Sequence, residues 1–154
     1  MGRELLNEIG TKTLLNNNFA EYEKDVLLWD VITIKPKQKL LFRIISTNSK
    51  YKQGVRLAID VGEGHLEVNG IQAKGVHLWE DTCPEEIQID CNSPAGFLSV
   101  YNIFDIGPEK GGVRSQVPSS GMVLKKRKNL YRYCCNDAGF ETNFDKLIFE
   151  IELT

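Results

Sequence analysis

Between Asn136 and Asp145 the chain places Asn136, Asp137, Glu141, Thr142, Asn143 and Asp145 within ten residues. Side chains with oxygen atoms at this density are what a hard cation needs. Calcium takes roughly six to eight oxygen ligands from carboxylates, amides and carbonyls. Gly139 lets the chain fold back, so that the two ends of the segment can converge. The candidate metal ligands are therefore Asp137, Asn143, Thr142, Asn136 and Asp145, with calcium as the cofactor expected. Turn chemistry offers a second account, because Asn, Asp and Gly also favour β-turns through side-chain bonds to backbone amides. Both accounts stay open on the sequence.

Aromatic rings that could stack on a ligand are few. Trp79, Phe104, Tyr51 and Phe140 fall in or near expected loops. Phe140 lies inside the oxygen-rich segment, and Trp79 sits beside the acidic pair Glu80-Asp81. Phe140 and Trp79 are the candidate ligand-binding residues.

Signatures of catalysis are poor. No Gly-rich phosphate loop, Gly-x-Ser-x-Gly elbow or His-x-x-x-His pair occurs. His77 with Cys83 or Cys91 could form a thiol–imidazole pair, but nothing in the spacing requires it. The four cysteines, Cys83, Cys91, Cys134 and Cys135, have no Cys-x-x-Cys spacing for a metal. Reduced thiols are expected, with one of Cys134 and Cys135 buried, since neighbours on a strand face opposite ways. A Cys83–Cys91 disulfide is the alternative in an exported protein. A non-catalytic protein is expected.

The elements that must hold these residues are almost all strands. Val26–Ile34, Leu40–Ile45, Val55–Val61, Val76–Trp79, Glu86–Cys91, Phe97–Ile103, Gly121–Lys126, Leu130–Cys135 and Leu147–Leu153 are apolar, β-branched or alternating runs. In the last of these Leu147, Phe149, Ile151 and Leu153 share one face. His65–Ala73 is a hairpin closed by Asn69-Gly70, a pair suited to a type I′ turn. Lys35–Lys39 reads as a turn and residues 105–121 as a long loop. Leu5, Leu6 and Ile9, with Leu14 or Leu15, could form a short amino-terminal helix. Roughly ten short strands without a later helix predict one all-β domain over residues 1–154, an antiparallel β-sandwich.

The final stretch, Leu130-Tyr-Arg-Tyr-Cys-Cys-Asn-Asp-Ala-Gly-Phe-Glu-Thr-Asn-Phe-Asp-Lys-Leu-Ile-Phe-Glu-Ile151, carries a family resemblance. It resembles the closing strands of the galactose-binding-like β-sandwich typified by the bacterial PA-I galactophilic lectins. Trp29-Asp-Val-Ile-Thr-Ile34 is similar to an early strand of the same family. The resemblance implies a jelly-roll or galactose-binding-like sandwich in which loop oxygens hold calcium and the calcium holds sugar hydroxyls. By position it implies Asp137, Asn143 and Thr142 as ligands. The chain departs from the pattern at Phe144, Asp145 and Lys146, and it lacks the family's His-Pro-Asp-Gln sugar-contact segment.

Composition bounds the partners. Nineteen basic and 21 acidic residues give a net charge of −2, against general nucleic-acid binding. Lys125-Lys-Arg-Lys128 reads as a solvated turn. No apolar run approaches the roughly 18 residues that span a bilayer, and the start lacks a secretory signal. A cytoplasmic protein without membrane contact is expected. Its function is read as calcium-dependent carbohydrate binding through the 136–145 loop, the alternative being a protein-interaction domain.

Overall fold

The computed structural model describes residues 10–139 and 141–154. Thirteen strands form one antiparallel sheet: β1 (Leu14–Leu15), β2 (Leu27–Thr33), β3 (Lys37–Thr47), β4 (Lys52–Ala58), β5 (His65–Val68), β6 (Ile71–Ala73), β7 (Gly75–Trp79), β8 (Ile87–Asn92), β9 (Phe97–Asp105), β10 (Val113–Arg114), β11 (Gly121–Arg127), β12 (Leu130–Asn136) and β13 (Leu147–Leu153). Single 3₁₀ turns at Asn17–Phe19 and Pro108–Lys110 are the only helical segments among the described residues. None is long and apolar enough to cross a membrane.

The order across the sheet is β6-β5-β8-β3-β13-β12-β11-β2-β9-β4-β7. Strand β2 is the pivot. Its start pairs with β11 through Leu27 and Met122, while Asp30 to Thr33 pair with β9. The two outer strands, β6 and β7, are joined by the single residue Lys74, and β5 approaches β7. The sheet is therefore nearly closed on itself. At the β5–β6 turn Asn69 and Gly70 both have positive φ, 51° and 80°, as the Asn-Gly pair predicts.

Alternation decides what lies inside. Leu40, Phe42, Ile89, Tyr133, Cys135, Leu147, Phe149 and Ile151 from one stretch of sheet meet Val55, Leu57, Leu98 and Val100 from the other. Tyr133 and Phe149 stack at 4.8 Å with planes 15° apart, and Phe42 lies 5.7 Å from Phe149. The Tyr133 hydroxyl donates to Asp30 Oδ2 at 2.6 Å inside the protein, tying β12 to β2. Burial, then the charge of Asp30 and this bond, raise the Tyr133 phenol well above its ordinary range.

On the outer face of β3, β12 and β13 the side chains are ionic. Arg43 bonds Glu86 and Glu152 at 2.8 Å each, and Arg132 bonds Glu150 at 2.8 Å. Glu150 is buried, yet it has Arg43 at 3.4 Å as a second cation. Buried charge held by two partners avoids the cost of an unpaired ion.

Several sequence expectations are corrected. Leu14 and Leu15 form a strand against β2 rather than helix, while Leu5, Leu6 and Ile9 lie outside the described residues. Lys37 to Lys39 belong to β3, because their backbone pairs with Asn92 to Asp90 of β8. Cys134 and Cys135 are both buried, not one of the two. Within residues 105–121, β10 turns back to pair with Phe104 and Asp105.

Two changes test this core. Phe149→Ala removes a fully buried ring and should cost about 3–5 kcal/mol in urea unfolding. Tyr133→Phe should cost about 1–3 kcal/mol, because Asp30 loses a buried donor. The raised phenol pKa also fixes a sign. Its contribution is complete below about pH 10, where the unfolded tyrosine is neutral, and is lost as pH rises beyond that value. The two proteins should therefore converge in stability under alkali; a constant difference between pH 7 and 11 would rule out this account of Tyr133.

Candidate functional site

The oxygen-rich segment lies at one end of the sheet, between β12 and β13, and faces the β3–β4 turn. Together they line a cavity of about 520 Å3, bounded by Asn48, Ser49, Lys50, Tyr51, Asp137, Ala138, Gly139, Glu141 and Lys146. That volume is within the roughly 300–1,000 Å3 usual for small-ligand pockets. Asp137 sits at its base. Only 2 % of Asp137 is exposed, and its Oδ2 accepts bonds from Gln53 Nε2 at 2.8 Å and from the Ser49 hydroxyl. Gln53 is itself fully buried.

The reason Asp137 is placed so firmly lies in its neighbours. The Ser119 hydroxyl donates to the Asp137 carbonyl at 3.1 Å. Asn136 Nδ2 donates to the Ser119 carbonyl at 2.7 Å, and the Asn102 side chain donates to the Asn136 carbonyl at 3.1 Å. These bonds continue the β12 ladder past its end. Gly139 follows with φ of 141°, a conformation that side chains with a Cβ rarely adopt, and its Cβ position is open space.

The far side of the loop is anchored too. Phe144 packs against Phe19 and Tyr22 at 5.8 and 5.4 Å. Asn48 Nδ2 donates to Asp145 Oδ2 at 3.0 Å, and the Asn48 amide donates to the Lys146 carbonyl at 3.0 Å. Both walls of the cavity are thus fastened to each other before any ligand arrives. Such preorganisation lowers the ordering cost of binding.

Of the five residues expected to ligate metal, only Asp137 lines the cavity. Asn136 Oδ1 accepts the Asn143 amide at 3.1 Å, so this oxygen closes the loop on itself. Asp145 is occupied with Asn48. Thr142 and Asn143 are exposed. Turn chemistry thus claims the side-chain oxygen of Asn136, while Asp137 Oδ2 and Asp145 Oδ2 are taken by side chains from the β3–β4 side. Among the described residues no three His, Cys, Asp or Glu side chains form a group suited to a metal ion.

The aromatic expectations separate. Phe140 lies outside the described residues. Trp79 ends β7 away from the cavity lining, with Lys52 Nζ 4.9 Å over its ring. Phe104 is fully buried. Of the three described, Tyr51 lines the cavity, and Lys50 Nζ lies 5.1 Å over its ring. Residues singled out by nothing in the sequence, Asn48, Ser49 and Gln53, complete the site. For Asn48 and Ser49 the signal was the turn-forming run Thr47-Asn-Ser-Lys50 between two strands, and Gln53, inside β4, had none.

The thiols and imidazole are placed for packing. All four cysteines are free. Burial pushes the Cys91 thiol up to about 12, with Asp90 adding to it, and burial also raises Cys83 and Cys135. His77 contacts the edge of Trp79 at 6.1 Å, and its pKa is lowered by burial and by Arg56. A thiolate nucleophile needs the opposite trend. No family model, curated protein or solved structure matches this chain.

The hold on Asp137 and the state of the thiols are measurable. Asp137→Ala takes from the buried Gln53 amide one of its two acceptors, leaving the Tyr51 carbonyl, and should cost about 1–3 kcal/mol in denaturant unfolding. Asp137→Asn, which keeps an acceptor oxygen, should cost less; an unchanged stability in Asp137→Ala would show that this side chain is not what orders the loop. With iodoacetamide near neutral pH, only Cys83 should label in the native protein, and slowly. Rapid modification of Cys91 or Cys135 would contradict their burial.

Proposed function

We propose that this protein is a non-catalytic binding module whose cavity between the β3–β4 turn and the 137–146 loop takes a small, hydroxyl-rich ligand of the carbohydrate class. One observation carries the reading. A carboxylate that is almost wholly buried, Asp137, forms the base of the cavity and is held there by Gln53 and Ser49. Buried charge is costly unless it is bonded, and a carboxylate accepts bonds at about four lone-pair sites. From the described residues, both side-chain donors reach Oδ2. A sugar hydroxyl is a fitting further donor, and Tyr51 offers a ring beside it.

The same reading takes the fold as a jelly-roll or galactose-binding-like sandwich, two layers sharing β2. Its support is the change of partner along β2, from β11 to β9. Ligand recognition is taken as direct rather than through calcium, since the oxygens of Asn136 and Asp145 already serve the loop.

Titration calorimetry with methyl glycosides, paired with amide chemical shifts, tests the proposal. A binding sugar should move the amides of Ser49, Tyr51 and Gly139. Asp137→Asn should weaken it about tenfold or more, the worth of a charge-assisted bond. Millimolar calcium should leave the melting temperature unchanged, because only a ligand of the native state raises it. A calcium-dependent rise would restore the cation to the site. No sugar response, with a protein partner captured through these loops, would favour the interaction-domain alternative.

A further inference from the structure

Strand β11 stands at an opening in the sheet. Over its whole length it pairs with β12, but β2 meets it at Met122 alone. Past that point, among the described residues, no strand pairs with the other edge of residues 123–127. Alternate residues of an antiparallel strand turn their amides and carbonyls to either side. This short length of backbone therefore keeps part of its hydrogen-bonding capacity for a further strand. Strand β12 holds the edge in place, since its Tyr131 and Tyr133 are anchored in the core.

The same residues are cationic. Lys125, Lys126 and Arg127 end β11, Lys128 begins the turn, and all four are exposed. The run expected to be a solvated turn is thus mostly strand. Among the described residues none of the four lies within ion-pair distance of a carboxylate. Lys126 Nζ lies 5.1 Å over the Tyr131 ring instead. The surroundings do not cancel this charge. Lys24 and Asp25, one of each sign, line the cavity beside Val123 and Leu124. Glu21 and Glu23 flank Tyr22, which packs on Phe144 beyond the other end of β12. On the outer face of β3, β12 and β13, Arg43 and Arg132 stand against Glu86, Glu150 and Glu152, which leaves one negative charge over. Four cations outweigh it.

Lysine on an open edge guards it against pairing with other chains. Here the guard is selective. A second copy of β11 would bring its own cations opposite, and like charges across a ladder are destabilising. A strand with carboxylates at those positions forms cross-strand ion pairs in addition to the ladder. The feature that refuses most strands thus admits one chemical class.

We infer that the β11 edge takes an acidic, extended segment of a partner protein as a further strand, at a site separate from the cavity above Asp137. A polypeptide fits best, because it alone matches the unpaired backbone as well as the cations. A polyanion without amides would use the cations only.

A peptide of about eight residues alternating glutamate with valine, followed by amide shifts and hydrogen exchange, tests this. It should move and protect amides within residues 123–127 while those of Ser49 and Gly139 stay unchanged. Its fully N-methylated counterpart keeps the charges, loses the backbone donors and should bind about tenfold more weakly or less. A lysine–valine peptide should not bind. Lys125→Glu/Arg127→Glu changes two exposed side chains; it should lose about tenfold for the acidic peptide and gain binding of the lysine–valine one. No response to the acidic peptide at about 1 mM overturns the inference, as does equal binding of the N-methylated form or an unchanged preference in the double variant. An oligothymidylate that shifts the same amides at lower concentration than the peptide also overturns it, by assigning the edge to nucleic acid. Each of these failures leaves the carbohydrate reading standing, because that reading rests on other residues.

Discussion

The bond from Tyr133 to Asp30 joins two strands at the place where β2 takes up its pairing with β9. Asp30 also takes the Thr13 hydroxyl at 2.6 Å and the Val31 amide at 2.9 Å, so three elements meet on one buried carboxylate. At Leu27 β2 pairs with β11, at Trp29 with Leu14 of β1, and from Asp30 onward with β9. A strand that leaves one neighbour for another exposes backbone groups at the switch, and polar side chains must satisfy them. Around that point the Tyr133 ring stacks on Phe149, and the rest of the apolar interior is assembled against this pair.

The site at the end of the sheet follows the same logic on a smaller scale. Asp137 is a second buried carboxylate, again placed where a strand stops and its ladder must be completed by side chains. Asp30 is satisfied within the protein and serves the fold. Asp137 has its donors behind it and a cavity in front. Under the proposed function, what sets Asp137 apart from Asp30 is its position against the cavity, not its residue type.

Much of this architecture was readable in the chain. Alternation located the strands from Val26 to Leu153, because one face of each must be apolar, and Asn69-Gly70 marked its turn through a backbone requirement. The oxygen-rich loop was also visible, and the cavity does lie against it. What the loop oxygens do was not visible. Gln53 and Ser49 reach Asp137 across 84 and 88 positions of sequence. Periodicity states which way a residue faces, and it is silent on which distant strand end stands opposite. Phe104 misled for a related reason: it extends β9 beyond its apparent end and so points into the core.

Strand β13, last in the order of strands, lies in the interior of the sheet between β3 and β12. The pairing of β3 and of β12 on that side is therefore incomplete in any state of the chain from which β13 is missing. Both flanking strands carry unpaired backbone groups in such a state, the condition under which foreign strands are captured. The vacancy is closed by pairing across more than a hundred residues, Leu153 against Leu40, a contact whose loop entropy makes it slow. Until β13 takes its place, β3 and β12 each keep an open edge on that side.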